Sequence, residues 1–229
     1  MARRSASRSL LEIVVTLVVV VLLAFVLQTF VARPYVIPSE SMEPTLHGCP
    51  GCTNDRIIAE KLTYYVREPR IGDVVVFRGP PSWNEGYQSI RSDNAVRRAL
   101  ENAAATVGLA PPDENNLVKR VVATGGQTVA CCDVQGRVTV DGLALDEPYV
   151  VHDFPWNPGG ENASYPVGRA FGPITVPDGH LWMMGDNRSN SKDSRFYVGD
   201  ETNGTVSVDD VRGRAVAVFW PINRAGPID

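Results

Sequence analysis

"LVKRVVAT", residues Leu117 to Thr124, sets two cations inside a run of Leu, Val and Ala. Its β-branched content favours a strand. On a strand, Leu117, Lys119 and Val121 share one face, and Val118, Arg120 and Val122 share the other. Each apolar face then carries one cation. Either this is an edge strand whose long side chains reach water, or it is an interior strand that buries one of the two charged heads. Similar short runs bounded by Gly, Pro or Asp recur as "RIIAEKL", "GDVVVF", "RVTVDG", "GHLWMMG" and "RAVAVFW". They predict a mostly antiparallel β domain. Two stretches break the pattern. Residues 79–116 carry "NAVRRALENAAATVGL", a predicted helix inside an insertion, and residues 150–172, rich in Gly, Pro and Asn, predict a long loop.

Upstream, Ile13 to Ala32 is a run of twenty residues without a charge. At about 1.5 Å per residue it spans roughly 30 Å, the thickness of the hydrocarbon core. Arg3, Arg4 and Arg8 precede it and Arg33 follows, which predicts an amino terminus in the cytoplasm. A cleaved leader would have a shorter apolar region, about 7–15 residues, ending at a small-x-small site. Here "TFVA" puts Phe30 where a small residue is needed. The expected layout is a basic arm over 1–9, a retained anchor over 10–32 and an exterior domain over 33–229.

Leaving out Arg3, Arg4, Arg8 and Glu12, the 22 basic and 26 acidic residues fall to 19 and 25, a net of −6 for the exterior part. No basic footprint for nucleic acid exists. Four cysteines form "CPGC", Cys49 and Cys52, and the adjacent pair Cys131 and Cys132. In a cytosolic chain these would raise zinc or a thioredoxin-like motif. The adjacent pair spaces poorly for tetrahedral zinc, and no strand–helix context surrounds CPGC. An exterior location favours disulfides. Four cysteines allow three connectivities, of which a Cys49–Cys52 bridge is preferred.

Of the 22 basic residues only Lys61, Lys119 and Lys192 are lysines. Arginine keeps its proton at accessible pH, whereas a desolvated lysine can release it. Burial lowers a lysine pKa from about 10.4 by up to ~3–5 units, which brings a neutral amine within reach of neutral pH. Such an amine can act as general base toward a serine hydroxyl. Ser39 and Ser41, in "IPSESMEPTL" (Ile37 to Leu46), are the candidate hydroxyls. His47, His152 and His180 stand beside no G-x-S-x-G elbow, and none is present. "MMGDNRSNSKDSR", residues 183–195, packs charged, amide and hydroxyl groups densely, as suits a loop that orients other side chains.

"IPSESMEPTL", "GDVVVF", "LVKRVVATGGQ" and "MGDNRSNSKDSR", in that order behind an amino-terminal anchor, resemble bacterial type I signal peptidase, peptidase family S26. That family removes secretory signal peptides with a Ser/Lys pair on an antiparallel β fold. The resemblance implies Ser41 as nucleophile and Lys119 as general base. Ser39, with the backbone N–H of Ser41, would form the oxyanion hole. Ser191 would orient the lysine, Asp193 and Arg195 would pair beneath that loop, and Asp186 would pair with Arg120. Pockets for Ala-x-Ala map onto Tyr35, Ile37, Met42, Leu46, Leu117 and Val118. A Ser/Lys pair implies no cofactor and no metal. The implied partners are preprotein signal peptides and a lipid bilayer, for a monomer on the outer face of the bacterial cytoplasmic membrane. Two positions depart from the family pattern: Glu40 replaces a common Gly and Ser189 a common Asp. Two other readings, a self-cleaving repressor-type protease and an anchored binding protein, fit less well. The first lacks a DNA-binding region, and in the second the serines and lysine would not all have been kept.

Overall fold

The structure, a computed structural model, describes residues 2–106, 110 and 113–228. It contains α1 (Ala2–Val26), the single turn α2 (Thr63–Val66) and α3 (Ala95–Thr106). α1 runs on through a π-helical turn to Val31. The segment Ser9–Val31, with a mean hydropathy of 3.2, is long and apolar enough to cross a bilayer. The chain divides into two compact units, Met1–Arg33 with Gln88–Glu114, and Pro34–Tyr87 with Asn115–Asp229. In the first, the Asn94 side chain accepts the N–H groups of Val96 and Arg97 at 3.0 and 3.1 Å and so caps α3. The expected helix ran to Leu109, and its last three residues lie outside the described ones.

The second unit is built of strands: β1 (Ala32–Val36), β2 (Arg56–Glu60), β3 (Val74–Arg78), β4 (Asn116–Thr124), β5 (Thr128–Cys131), β6 (Val138–Val140), β7 (Leu143–Ala144), β8 (Phe171–Thr175), β9 (His180–Met184), β10 (Val206–Ser207), β11 (Val211–Trp220) and β12 (Gly226–Pro227). One sheet runs β1-β2-β11-β3-β4-β9-β10, with β12 on β11, and a smaller one runs β7-β6-β5-β8. All six runs read as strands form strands. β8 begins at Phe171, inside the stretch expected to be loop, and the rest of 150–172 is irregular apart from one bridge between Ser164 and Ala170.

"GDVVVF" has no polar face because β3 is covered on both sides. Val74 and Val76 enter one apolar cluster with Ile37, Met42, Leu46 and Ile57, and Val75 and Phe77 enter another with Trp83, Val121 and Met183. Burying one such side chain contributes about 1.5–3 kcal/mol. A third cluster, with Val122, Val129, Ile174 and Trp182, joins residues of both sheets. β4 lies between β3 and β9, with Lys119 opposite Val75, and Arg120 opposite Val74 and Met184. The edge-strand alternative therefore fails. Lys119 is 4% exposed and Arg120 is 2% exposed, so both cations are buried rather than one. The cysteines fall into two local pairs, with the sulfurs of Cys49 and Cys52 side by side and those of Cys131 and Cys132 likewise.

Candidate active site

Ser41 stands on a single 3-10 turn, Glu40–Met42, that follows an extended Ser39. Buried apolar residues on either side, Ile37 and Met42, pull the segment into the core and leave the serine between them half-buried. Main-chain bonds hold the segment, from Ile37 N–H to the Asp55 carbonyl at 2.9 Å and from Leu46 N–H to that of Met42 at 2.9 Å. Lys119, 78 residues away in sequence, reaches this turn from β4 and donates from Nζ to Ser41 Oγ at 2.6 Å. The hydroxyls of Ser39 and Ser41 are 3.3 Å apart. Burial pushes the Lys119 amine from its ordinary 10.5 down to about 8, while the carboxylates of Asp193 and Asp186 pull it up and Arg195 lowers it further. A lysine with that value carries a substantial neutral fraction near pH 8.

Two buried ion pairs frame this contact. Arg120 grips Asp186 with two bonds, Nε to Oδ1 at 3.0 Å and Nη2 to Oδ2 at 2.8 Å. Asp186 Oδ2 also accepts the Thr45 hydroxyl at 2.6 Å, so one carboxylate ties the serine segment to the lysine strand. The Arg120 guanidinium lies 3.8 Å from the centre of the Tyr149 ring and donates to the Gly72 carbonyl at 2.9 Å. Asp193 and Arg195 form the second pair, Nε to Oδ1 and Nη2 to Oδ2, both at 2.8 Å. Asp193 also accepts the Gly185 N–H at 3.0 Å. Burial pushes the Asp193 carboxyl up, but Arg195, the Gly185 N–H and Lys119 outweigh it and hold it below the usual range.

Gly185 has to be glycine. A Cβ there would fall inside contact distance of the Ser41 carbonyl oxygen and the Ser191 hydroxyl. Gly185→Ala is expected to push the serine turn away from Lys119 and lower the rate of any reaction that uses the pair by at least ~100-fold. Turnover beside an unchanged Tm would report displacement, and wild-type turnover would refute it.

Ser191 is placed differently from expectation. It lines the same wall, but among the described residues its buried Oγ has no hydrogen-bond partner, because the Lys119 amine points at Ser41 instead. Leu46 is also displaced from its expected role. It is fully buried in the core beneath the turn rather than facing a cleft. Tyr35, Ile37, Met42, Leu117 and Val118 do come together, around a pocket of about 60 Å³ that opens beside Ser41 and Lys119. A wider cleft of about 440 Å³ continues past Ser41 between Glu40, Pro50, Asn190 and Lys192. Of the two departures from the family pattern, Glu40 accepts from the Asn190 side chain at 3.0 Å, and Ser189 donates to Asn187 Oδ1 at 3.3 Å.

Several supporting residues were not singled out from the sequence. The Tyr165 hydroxyl donates to the Ser191 carbonyl, and its ring centre lies 4.3 Å from the Arg195 guanidinium. Glu147 holds the buried Arg188 at 2.5 and 3.2 Å. Arg188 in turn donates to the Gly185 carbonyl at 3.0 Å. No local pattern marks Tyr165, which sits in the irregular 150–172 stretch.

A family model described as "Signal peptidase, peptidase S26" matches residues 10–220. A probable signal peptidase I of Mycobacterium leprae (strain TN) is 50% identical over a 242-residue alignment that covers 99% of this chain and 80% of that protein. The signal peptidase I of Mycobacterium tuberculosis (strain ATCC 25618 / H37Rv) is 52% identical, covering 98% of this chain and 78% of that one. The signal peptidase I of Leptolyngbya laminosa is 34% identical, covering 97% and 86%.

Proposed function

The chain belongs to the signal peptidase family, peptidase S26, and on that footing we propose that it is a membrane-anchored serine endopeptidase that removes signal peptides from exported preproteins. Ser41 is the nucleophile and Lys119 the general base. The observation that carries this is the 2.6 Å approach of a buried amine, with its pKa near 8, to a serine hydroxyl. Lys119 in its neutral form takes the Ser41 proton as Oγ attacks the scissile carbonyl. The Ser41 N–H and the Ser39 hydroxyl face the oxyanion that forms, where one such donor is commonly worth ~2.7–4 kcal/mol. The ammonium then returns its proton to the leaving amine, and the acyl-enzyme remains. Water, deprotonated by the same lysine, releases the signal peptide and frees Ser41. While Lys119 is charged it has three N–H donors to satisfy. The unpartnered Ser191 Oγ is the nearby hydroxyl that would accept one of them.

The small pocket lined by Ile37, Met42, Leu117 and Val118 suits small apolar side chains, which supports cleavage after Ala-x-Ala. The apolar helix supports an anchor with its amino terminus in the cytoplasm and the catalytic domain on the outer face. Such a location favours the disulfide form of both cysteine pairs. The full-length enzyme in detergent should cut a preprotein bearing Ala-x-Ala at the bond after the second Ala, as read by mass spectrometry of both products. The sign of its pH dependence follows from the base. Only the neutral amine is active, so kcat/KM should rise with pH and level off above an apparent pKa of about 8. No cut at that bond, or a rate that falls as pH rises through 8, would overturn the proposal.

A further inference from the structure

"HGCPGC", His47 to Cys52, has no part in the Ser/Lys chemistry. Among the described residues, His47, Cys49 and Cys52 are the one group of three histidine, cysteine or acidic side chains whose ligand atoms gather, all within 4.8 Å of one another. Each is half-buried and so within reach of solvent.

Local geometry builds this cluster. Gly51 has a φ of 83°, in the left-handed region, and so lets Pro50 and Gly51 reverse the chain. The Cys52 N–H donates to the Cys49 carbonyl at 3.3 Å and closes the turn, which brings both sulfurs together. The Cys49 N–H is held by Asn54 Oδ1 at 3.0 Å, and the His47 N–H by Asp55 Oδ2 at 2.7 Å. Arg224 secures that carboxylate from Nε and Nη2. The imidazole is oriented as well. Its Nδ1 is bonded to the Glu43 carboxylate, which leaves Nε2 as the nitrogen able to coordinate. A carboxylate behind a ligating imidazole fixes the tautomer and makes the ligand more basic.

We propose that, when Cys49 and Cys52 are thiols, they and His47 bind one Zn²⁺, with the fourth position left to water. Two thiolates and an imidazole suit zinc, whereas Ca²⁺ and Mg²⁺ require oxygen ligands. The bridged and metal-bound forms exclude each other, because the same two sulfurs serve both. Passage from one to the other needs a reductant, here a dithiol. It breaks the Cys49–Cys52 bond and becomes a disulfide itself, while the two sulfurs take up two electrons and two protons. Zinc then displaces the two thiol protons. Pro50, between the cysteines, lines the cleft beside Ser41 and Lys119, so either crosslink holds the same rim. The site does not depend on the proposed protease chemistry, and its test does not read activity.

The full-length chain in detergent, reduced with a phosphine under anaerobic conditions, is titrated with Co²⁺ as a spectroscopic probe. One equivalent should bind with tetrahedral and sulfur-to-cobalt absorption bands that Zn²⁺ abolishes. Zn²⁺ should raise the Tm of the reduced enzyme and not that of the oxidised one. The C131S/C132S variant should keep these bands and C49S/C52S should lose them. Glu43→Gln should weaken Co²⁺ binding by about 10–100-fold. Absence of the bands in the reduced wild-type chain, or undiminished binding by C49S/C52S, would overturn the proposal.

Discussion

Lys119→Arg keeps the positive charge and much of the side-chain volume, yet it is expected to lower kcat/KM for a preprotein by at least ~10⁴-fold. The reason is protonation. Arginine does not release its proton at accessible pH, so no free base faces Ser41 Oγ across the 2.6 Å contact. The native amine, brought down to about 8 by burial, is able to lose its proton near neutral pH. On the proposed mechanism Ser41→Ala should be as severe, and the double variant no worse than either single one, because a nucleophile and its base act as a unit. Single-turnover cleavage of a preprotein by each purified variant checks all three. Processing at the wild-type rate by Lys119→Arg would remove the lysine from the mechanism.

The second large effect concerns Asp186, which is fully buried and accepts from both Arg120 and Thr45. Asp186→Ala leaves the Arg120 guanidinium buried without its carboxylate and is expected to cost about 3–5 kcal/mol of stability. The Thr45 tether is lost as well, so residual activity should fall further than the folded fraction does. Removing both charges, as in Arg120→Met with Asp186→Leu, should cost less than the single substitution, because no unpaired ion remains. Urea denaturation of the three proteins in the same detergent gives the comparison. A double variant less stable than Asp186→Ala would mean that the pair contributes more than its desolvation costs.

Local pattern made the six main strands readable, because β-branched runs and turn residues act over a few positions. It left the position of β4 open. Periodicity describes faces, whereas edge or interior position depends on whether partner strands pair both edges of Lys119's strand, and those partners, β3 and β9, come from other parts of the chain. The strands β1, β5, β7, β8, β10 and β12 lie outside those runs; three of them are only two residues long, too short to show any alternation. Ser41, Lys119 and the two ion pairs were readable through the family resemblance. The family resemblance maps Leu46 onto a substrate pocket, whereas its side chain fills the core beneath the turn. Tyr165 and Glu147 support the site from segments without a motif, and only tertiary structure brings them there.

The two halves of the Ser41–Lys119 contact rest on backbone of unequal persistence. Lys119 belongs to a nine-residue strand paired on both sides, so its amide opens only with the sheet as a whole. Ser41 rests on one three-residue turn, held by the Glu43 N–H to Glu40 carbonyl bond at 3.0 Å and by the Asn187 N–H to Ser41 carbonyl bond at 3.2 Å, with no ladder on either side. Brief, reversible opening is therefore expected to free the serine while the lysine stays in place. Early loss of function on warming would then be a local fluctuation that cooling reverses, well before the strands separate.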